Sequence, residues 1–398
     1  MHIPKLPRPI RYAMVGGNDA FIAGTHGSAS RLDGDYWKIV GGAFSSNPAK
    51  SKAFGQKLGL STKRCYNTWT EMIAGERSLP VDIRAEVIIN VATNDTHAPV
   101  AIAAFDAGFH VFSEKPAARN AQEARAIRDA FQKASNKNPR IEYGLAHNYT
   151  GYGLIQLARL LIQQGKLGTI LAFNGKYKQD WLTDRVEEGP DAPKLARWRT
   201  NPKIAGAGGL NDIGTHVYQL IRFLLPDLRV SRLLADVSKK TPGRLVDDHS
   251  NILTKHERGV SGNFEVSQVA VGNANNLAIE INGTEGSLWW SQEDPNTLRF
   301  CTKGGNIELI RGGAGMPGIE KSIEWLFRRP GGHPDGFIDA FSNLYTSFAL
   351  IVADANNVQE IGIRPYVPGI VDAVDEMIFV DACLESSAKE AWVTVPSH

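Results

Sequence analysis

The chain has 398 residues, and at this length two hydrophobic cores, and therefore two domains, are expected. Hydrophobic residues make up 42% and charged residues 22%, which excludes a disordered chain, and the 44 basic and 42 acidic residues leave a formal net charge of only +2. Without long runs of like charge, this balance offers no surface for nucleic acid, so we expect small-molecule partners.

The cysteines and the hydropathy pattern bear on where the protein works. Three cysteines, Cys65, Cys301 and Cys383, are odd in number and too far apart for a disulfide framework or a metal-ligand cluster. The N-terminal stretch contains basic side chains without a following apolar segment, and no apolar run reaches membrane-spanning length. We therefore expect a cytoplasmic protein with no membrane partner.

Strand and helix patterns alternate through the first part of the chain. A first strand begins at Arg11 and ends in Gly16 and Gly17. It is followed by predicted strands at 37–44, 85–92, 110–113 and 141–146, and by predicted helices at 21–32, 50–58, 97–107 and 120–134. Because these strands are continuously apolar, the pattern predicts an α/β fold with a doubly wound parallel sheet covered by helices on both faces.

The pattern changes after Asn148. A helix at 152–164, a strand at 169–179, a polar loop at 184–203 and a helix at 208–220 come first. Period-two strands follow at 250–255, 262–270, 276–282, 287–291 and 297–301, before a long helix at 335–353 and a shorter one at 368–385. These segments predict a largely antiparallel sheet in a second domain. We expect a dinucleotide-binding domain over 1–148 and a substrate domain over 149–398, whose C-terminal helices can pack back on the first.

The first strand ends where a doubly wound sheet turns into its first helix. Glycines at this turn let the backbone approach a pyrophosphate at the helix N-terminus. The full G-x-G-x-x-G fingerprint is absent, because Asn18 and Phe21 stand where its second and third glycines belong. Gly16, Gly17, Asn18 and Phe21 are therefore candidate cofactor residues, and a tight turn without a ligand is the alternative.

The end of the second strand normally carries an acid that binds the adenosine ribose, and none is present here. Ser45 and Ser46, with Lys50 shortly after, suit either a ribose hydroxyl or a 2′-phosphate. Capping of the following helix before Pro48 by these serines is compatible with both roles.

Two more turns follow strands of the predicted sheet at its ligand-binding edge. The first contains Thr93, Asn94 and His97; capping explains Asn94, and we expect His97 to be structural or at the cofactor edge. The second contains Glu114 and Lys115, stopped by a proline that fixes the loop. A lysine near a positively charged nicotinamide is pushed toward its neutral form, whereas a surface Glu-Lys pair is the plainer reading.

The segment 208–220 predicts a helix with Asp212 and His216 on one face, because the two are four residues apart. A carboxylate one turn before an imidazole, at the positive end of a helix, suits holding a hydroxyl and taking its proton. An exposed i,i+4 pair is the alternative.

These pieces in this order resemble the Gfo/Idh/MocA family of sugar and polyol dehydrogenases. The resemblance rests on the glycine turn, on Glu114-Lys115-Pro116 and on the 208–216 segment, and it covers nearly the whole chain. Four further segments look like the branch that contains levoglucosan dehydrogenase and enzymes that oxidise glycosides at the 3-hydroxyl: 147–152, 179–182, 243–248 and 332–334.

The resemblance implies a Rossmann domain, a domain with an open antiparallel sheet, and NAD as cofactor, with NADP not excluded. It also implies that Lys115 contacts the cofactor ribose and the substrate hydroxyl, that Asp212 holds the substrate, and that His216 is the acid/base. We further expect Asn148, Tyr149, Asp180, Trp181 and Arg199 to line the substrate pocket, with core or interface positions as the alternative for the two aromatic residues. His333, at the start of the last long helix, is a further candidate, and a helix N-terminal histidine without a role in binding is the alternative for it.

The expected reaction is hydride transfer between a secondary hydroxyl of a sugar, polyol, anhydrosugar or glycoside and nicotinamide, with no metal. Two alternatives remain: a redox-neutral NAD-dependent enzyme that processes glycosides through a transient keto intermediate, and a non-catalytic sugar or dinucleotide sensor. The sensor has no need of Lys115, Asp212 and His216 together. We also expect a homo-oligomer, a dimer or tetramer, formed through the C-terminal sheet.

Overall fold

The first sheet has five parallel strands. The computed structural model describes residues 5–18, 21–353 and 365–396. The strands are arranged in the order β2-β1-β3-β4-β5, and their bounds are β1 (Ile10–Val15), β2 (Trp37–Ala43), β3 (Val87–Asn90), β4 (His110–Ser113) and β5 (Tyr143–Leu145). The helices between them are α1 (Phe21–Leu32), α2 (Pro48–Lys57), α3 (Trp69–Ser78), α4 (Asn94–Asp106) and α5 (Ala121–Lys137). The predicted doubly wound parallel sheet is confirmed, and its central strand β3 is buried throughout because helices cover both faces.

The strand order places a crevice at one edge of this sheet. The chain passes from β1 outward to β2 and then back to β3 on the other side of β1, so the carboxyl ends of β1 and β3 face a switch point. Open α/β sheets bind ligands at such a point. The turns that carry Gly16 and Thr93 both lie there.

The second sheet has nine strands in the order β13-β12-β11-β10-β6-β9-β8-β7-β14. Their bounds are β6 (Ile170–Lys178), β7 (Val230–Ser238), β8 (His249–His256), β9 (Ser261–Ser267), β10 (Asn276–Gly283), β11 (Gly286–Ser291), β12 (Thr297–Thr302), β13 (Ile307–Arg311) and β14 (Val393–Thr394). Neighbouring strands are antiparallel except for the parallel pair β6 and β9, which confirms the largely antiparallel prediction. Helices α6 (Gly153–Gln163) and α9 (Thr215–Leu224) pack on one face, and the alternating burial of strands such as β8 shows that the other face is exposed.

The last two long helices, α11 (Phe337–Val352) and α12 (Ile370–Lys389), pack against the first sheet and its helices. The hydroxyl of Tyr345 lies 2.7 Å from Nδ1 of His26, and the main-chain oxygen of Tyr345 accepts a hydrogen bond from Trp37. The carboxylate of Asp381 accepts from the amide of Ala121 at 3.0 Å. The last helix was expected to be the shorter one, but it has 20 residues against 16 in α11, because its helical pattern continues beyond residue 385.

Several elements were not predicted. The polar loop at 184–203 contains two short helices, α7 (Lys194–Arg199) and α8 (Pro202–Ala205), and α10 (Lys321–Glu324) is equally short. Helix α3 and strands β7 and β13 were also missed. The reason is clearest for β13, whose residues are exposed or half-buried, so its sequence carries no apolar alternation that a pattern search can detect.

All three cysteines are free, with Cys65 and Cys383 buried and Cys301 partly exposed. In the part of the chain that the structure describes, no helix is long and apolar enough to cross a membrane. Among the same residues, no group of three or more His, Cys, Asp or Glu side chains is placed to hold a metal ion.

Candidate active site

The helix at 208–220 is built differently from its predicted form. Its apolar face is confirmed, since Leu210, Ile213, Val217 and Leu220 are all buried. It opens, however, as a π-helical turn, Leu210–Gly214, before α9 begins. The carboxylate of Asp247 caps this start by accepting hydrogen bonds from the amides of Gly208 and Leu210, at 2.6 and 2.7 Å. Because Asp247 satisfies these amides, the side chain of Asp212 is left for other contacts.

Asp212 contacts Lys115 from across the crevice. Nζ of Lys115 donates to the main-chain oxygen of Asp212 at 2.5 Å and to its carboxylate at 3.0 Å. Only 10% of the Lys115 side chain and 14% of the Asp212 side chain are exposed. The alternatives in which these residues form ordinary surface pairs are therefore wrong.

Buried side chains hold the loop that carries Lys115. One carboxylate oxygen of Glu114 lies 2.7 Å from Nε2 of His26, and the other accepts from the amide of Lys115 at 3.0 Å. The ring nitrogens of His97 face the main-chain oxygens of Pro116 and Ala92, at 2.6 and 3.3 Å. The side chains of Glu114 and His97 are thus engaged with the protein itself and position Lys115.

Burial changes the protonation of Lys115. Removal of the side chain from water is the main cause that lowers the pKa of Lys115 to about 7, and repulsion from the Arg199 guanidinium is the second cause. The negative charges of Glu114 and Glu376 act in the opposite direction. Lys115 can therefore exchange a proton near neutral pH, as a lysine of an active site does.

His216 lies deep in the same site. Its Nδ1 is 3.3 Å from Nδ1 of His147, and the ring of Tyr149 packs edge-on at 4.8 Å between ring centroids. Burial, with a further contribution from the charge of Lys115, holds the pKa of His216 well below its ordinary value. The ring is therefore neutral at physiological pH and is able to accept a proton.

Two further side chains complete the surroundings of the Asp212 carboxylate. Arg199 forms an ion pair with it, and burial lowers the pKa of this arginine to about 10. The side-chain amide of Gln268 donates to the second carboxylate oxygen at 2.8 Å. Gln268 was not predicted, because a lone glutamine at a strand end carries no sequence pattern.

A chain of polar contacts links the predicted pocket residues Tyr149 and Trp181. The hydroxyls of Tyr149 and Tyr177 lie 2.6 Å apart, and Asn275 contacts both. The side-chain oxygen of Asn275 also accepts a hydrogen bond from the side-chain nitrogen of Gln179 at 2.8 Å. The side-chain oxygen of Gln179 in turn accepts from the indole nitrogen of Trp181 at 3.0 Å. Tyr177, Gln179 and Asn275 are therefore further candidate residues of the substrate pocket.

The other predicted pocket residues differ in their placement. Asn148 is buried, and its side-chain nitrogen has no hydrogen-bond partner among the described residues. Asp180 is half-buried, and among the residues described its carboxylate accepts a single long hydrogen bond, 3.4 Å from the amide of Gly272. His333 was expected to begin the last long helix, but it is exposed in the loop before Phe337, where its ring faces the oxygen of Pro330.

The glycine turn fits a dinucleotide. Gly16 and Gly17 have φ of +82° and +106°, and a Cβ at Gly16 would lie 2.8 Å from Cα of Ala92. The close approach leaves bare backbone beside the N-terminal end of α1, as a pyrophosphate requires. The side chain of Phe21 is 79% exposed at this edge, while Asn18 is half-buried.

The candidate ribose and helix-cap residues lie at the adjacent strand ends. Asn47 caps α2 by accepting from the amide of Lys50, so the cap is not a serine, and Ser45 accepts from the amide of Asn47. Ser46 and Lys50 are exposed. Beyond β3, Thr93 contacts Asp95, and the buried Asn94 donates to the oxygen of Ala205.

Comparisons with known proteins agree with this geometry. Residues 10–138 match the family model described as an oxidoreductase family with an NAD-binding Rossmann fold, and residues 155–289 match the GFO/IDH/MocA C-terminal domain. Levoglucosan dehydrogenase of Pseudarthrobacter phenanthrenivorans is 30% identical over 78% of this chain and 80% of its own length.

Solved structures extend the similarity to nearly the whole chain. An inositol dehydrogenase homolog from Azotobacter vinelandii, complexed with NAD⁺, superposes with a TM-score of 0.90 at 29% identity over 98% of both chains. The same homolog with NADH and myo-inositol gives a TM-score of 0.87 at 28% identity, again over 98% of both chains. The chain therefore belongs to the Gfo/Idh/MocA family of oxidoreductases and has its NAD-binding Rossmann domain.

Proposed function

We propose that the protein is a dehydrogenase that oxidises a secondary hydroxyl of a sugar, polyol, anhydrosugar or glycoside, with NAD as the redox partner. The observation that carries this proposal is the meeting of Lys115, Asp212 and a neutral His216 in one buried site beside the nucleotide crevice. The relatives named above support the substrate class, since they act on levoglucosan or bind myo-inositol.

His216 is the group that takes the proton of the substrate hydroxyl. The shifted pKa values make both Lys115 and His216 possible bases, but the contact with the Asp212 carboxylate favours the ammonium form of Lys115, so we assign Lys115 the role of a cation. Its third N–H then stabilises the substrate oxygen as negative charge develops there. His216 is neutral because of burial, and it accepts the proton that leaves this oxygen.

Asp212 orients both partners. Its carboxylate fixes the position of the Lys115 ammonium group. Together with Gln268 and Arg199, it forms a charged surface that is able to bind substrate hydroxyls. Tyr149 and Trp181 offer aromatic surface for the apolar face of a ring-shaped substrate. Asn148, Asp180 and His333 are kept as proposed pocket residues, with His333 requiring movement of its loop.

The cofactor is proposed to lie along the glycine turn. Gly16, Gly17, Asn18 and Phe21 would hold its pyrophosphate, and Ser45, Ser46 and Lys50 would hold the ribose. Thr93, Asn94, His97, Glu114 and Lys115 belong to the two neighbouring strand ends. Bound NAD supplies the redox half of the reaction by accepting a hydride from the carbinol carbon.

The test is a substrate panel. Purified protein is mixed with NAD or NADP and with cyclitols, free hexoses, anhydrosugars and glycosides, and the formation of reduced nicotinamide is followed. We expect turnover with at least one member of the panel. Product without reduced cofactor would instead favour the redox-neutral alternative, and binding without product would favour the sensor.

The outer face of the second sheet supports a proposed homo-oligomer. Trp289 is half-buried there, with the guanidinium of Arg299 5.3 Å from the centre of its ring. Lys178 and Glu265 form an ion pair at 2.7 Å on the same face. A face with both charges and a tryptophan suits association with a second copy of itself.

A further inference from the structure

A buried histidine stands directly behind His216. His147, at the end of β5, is only 1% exposed, and its two ring nitrogens face different partners. Nδ1 lies 3.3 Å from Nδ1 of His216, while Nε2 lies 2.5 Å from the carboxylate of Glu376. The candidate base is thus the first member of a line of three side chains that runs away from the substrate.

Glu376, on α12, is fully buried and joins two parts of the site. Its Oε2 faces His147, and its Oε1 accepts from the amide of Ala117 at 2.8 Å, in the loop that carries Lys115. The positive charge of Lys115 interacts favourably with this carboxylate. Both oxygens of Glu376 are thus placed as hydrogen-bond acceptors, one for the amide of Ala117 and one for Nε2 of His147.

The acceptor role of Glu376 fixes the protons of both histidines. With Nε2 of His147 donating to the carboxylate, Nδ1 of His147 is left as the acceptor that faces His216. Nδ1 of His216 must then donate to that acceptor, which leaves Nε2 of His216 unprotonated. Among the described residues, Nδ1 is the only atom of the His216 ring with a hydrogen bond, so Nε2 is available to a substrate.

We propose that Glu376 and His147 are positioning residues that set the tautomer of His216 and so make its Nε2 the proton acceptor. The proposal rests on the proposed function and deepens it. When Nε2 takes the hydroxyl proton, the imidazolium keeps its Nδ1–H bond to His147, which Glu376 polarises from behind. No proton has to leave the line of three for this step to occur.

The other groups around His216 do not provide this orientation. Lys115 comes from the loop after β4 and Arg199 from α7, and both repel a charge on the ring. The rings of Tyr149 and Tyr177 lie 4.8 and 6.0 Å from the ring of His216 between centroids, and their hydroxyls are engaged with each other. Asp212 is held by Lys115 and Gln268. Only His147 contacts a ring nitrogen of His216 among the described residues.

The decisive variant is Glu376→Gln, which is nearly isosteric. Its amide oxygen still accepts from Ala117, but its NH₂ group donates to Nε2 of His147 and reverses the order of donors along the line. His216 then carries its proton on Nε2 and cannot accept another there. We expect kcat to fall on the order of 10²- to 10⁴-fold, as for a base held in the wrong tautomer. KM and NAD affinity should stay within about twofold of wild type.

Asp381→Asn is the matched control. Asp381 lies on the same helix and also accepts from a main-chain amide of the first domain, that of Ala121, but in the part of the chain that the structure describes no histidine is hydrogen-bonded to it. We expect its kcat to be unchanged. A second pair of variants guards against a folding defect: His147→Gln can keep the order of donor and acceptor and should retain at least tenfold more activity, by order of magnitude, than His147→Leu.

Nitrogen NMR of histidine-labelled full-length protein, with and without NAD, reads the tautomer directly. We expect His216 protonated on Nδ1 in the wild type and on Nε2 in Glu376→Gln. An unchanged tautomer in the variant, or wild-type kcat, would overturn the proposal while leaving the dehydrogenase function standing. If no substrate turned over, the dehydrogenase proposal would fail, and the NMR result would still decide the tautomer.

Discussion

The ammonium group of Lys115 holds both the carboxylate and the main-chain oxygen of Asp212, two residues that are 97 positions apart in the chain. Lys115 follows a strand of the first sheet, and Asp212 precedes a helix that packs on the second. Closing this contact brings the nucleotide crevice and the His216 helix to one place, so the site depends on both halves of the chain.

Removal of the ammonium group tests the role of Lys115. Lys115→Met keeps the length of the side chain but loses its charge, and we expect kcat to fall on the order of 10²-fold or more because the N–H that stabilises the substrate oxygen is lost. Binding of NAD, followed by quenching of protein fluorescence, should remain measurable. Lys133→Met, at an exposed ion pair with Asp106, is the control and should keep full activity. Wild-type rates in Lys115→Met would refute the mechanism.

His216→Gln tests the base separately. Glutamine occupies a similar volume and can still donate to His147, but it cannot accept a proton near neutral pH. We expect kcat for alcohol oxidation to fall on the order of 10²-fold or more, with little change in the melting temperature measured by circular dichroism. If His216→Gln oxidised its substrate as fast as the wild type, Lys115 would have to be the base instead.

The pH dependence follows from the two shifted pKa values. Lys115 is protonated below about pH 7 and neutral above it, because burial lowers its pKa to about 7. His216 becomes protonated only well below its ordinary pKa of 6.5. Both groups have the required form between these limits, so kcat/KM for oxidation should be level there, fall above about pH 7, and fall again only in more acidic solution.

Arg199→Met should shift this profile. The charge of Arg199 lowers the pKa of both Lys115 and His216, so its removal should raise both and move both limbs to higher pH. Arg197→Met, on the same helix, is the matched control, because the hydrogen bonds of the Arg197 side chain within the described residues go to the main-chain oxygens of Gly189 and Pro190. If kcat/KM had the same pH dependence in Arg199→Met and in the wild type, groups other than Lys115 and His216 would be responsible for the profile.

Local pattern predicted the sheets and the site residues that follow strands, and it failed where a contact spans the chain. Apolar strands and the turn at Gly16 are formed by consecutive residues, so the parallel sheet could be predicted from the sequence. The cap of the His216 helix comes from Asp247 and the support of His147 from Glu376, which is 229 positions away. No periodicity or motif marks such partners, because only the folded chain brings them together.

Gly16→Ala tests the glycine turn. An alanine there would need φ near +82° and would place its Cβ 2.8 Å from Cα of Ala92. We expect a loss of stability of about 1–3 kcal/mol and weaker NAD binding, measured by urea unfolding and by titration. Gly24→Ala is the control: its Cβ meets no atom within 4 Å inside α1, so stability should rise by about 0.5–1 kcal/mol. Equal NAD affinity in the two variants would argue against a role of the glycine turn in binding the cofactor.

The proposed association through the outer face of the second sheet can be tested by sedimentation. If a second copy covers this face, the wild type should sediment as a dimer or tetramer. Trp289→Glu should shift it toward the monomer, because the variant removes the aromatic surface from the interface and places a charge where a second copy would bury it. Val81→Glu is the control, since Val81 is 70% exposed in the first domain and away from that face. Sedimentation velocity distinguishes these outcomes: a monomeric wild type would remove the proposed interface, and an intact oligomer in Trp289→Glu would place the interface elsewhere.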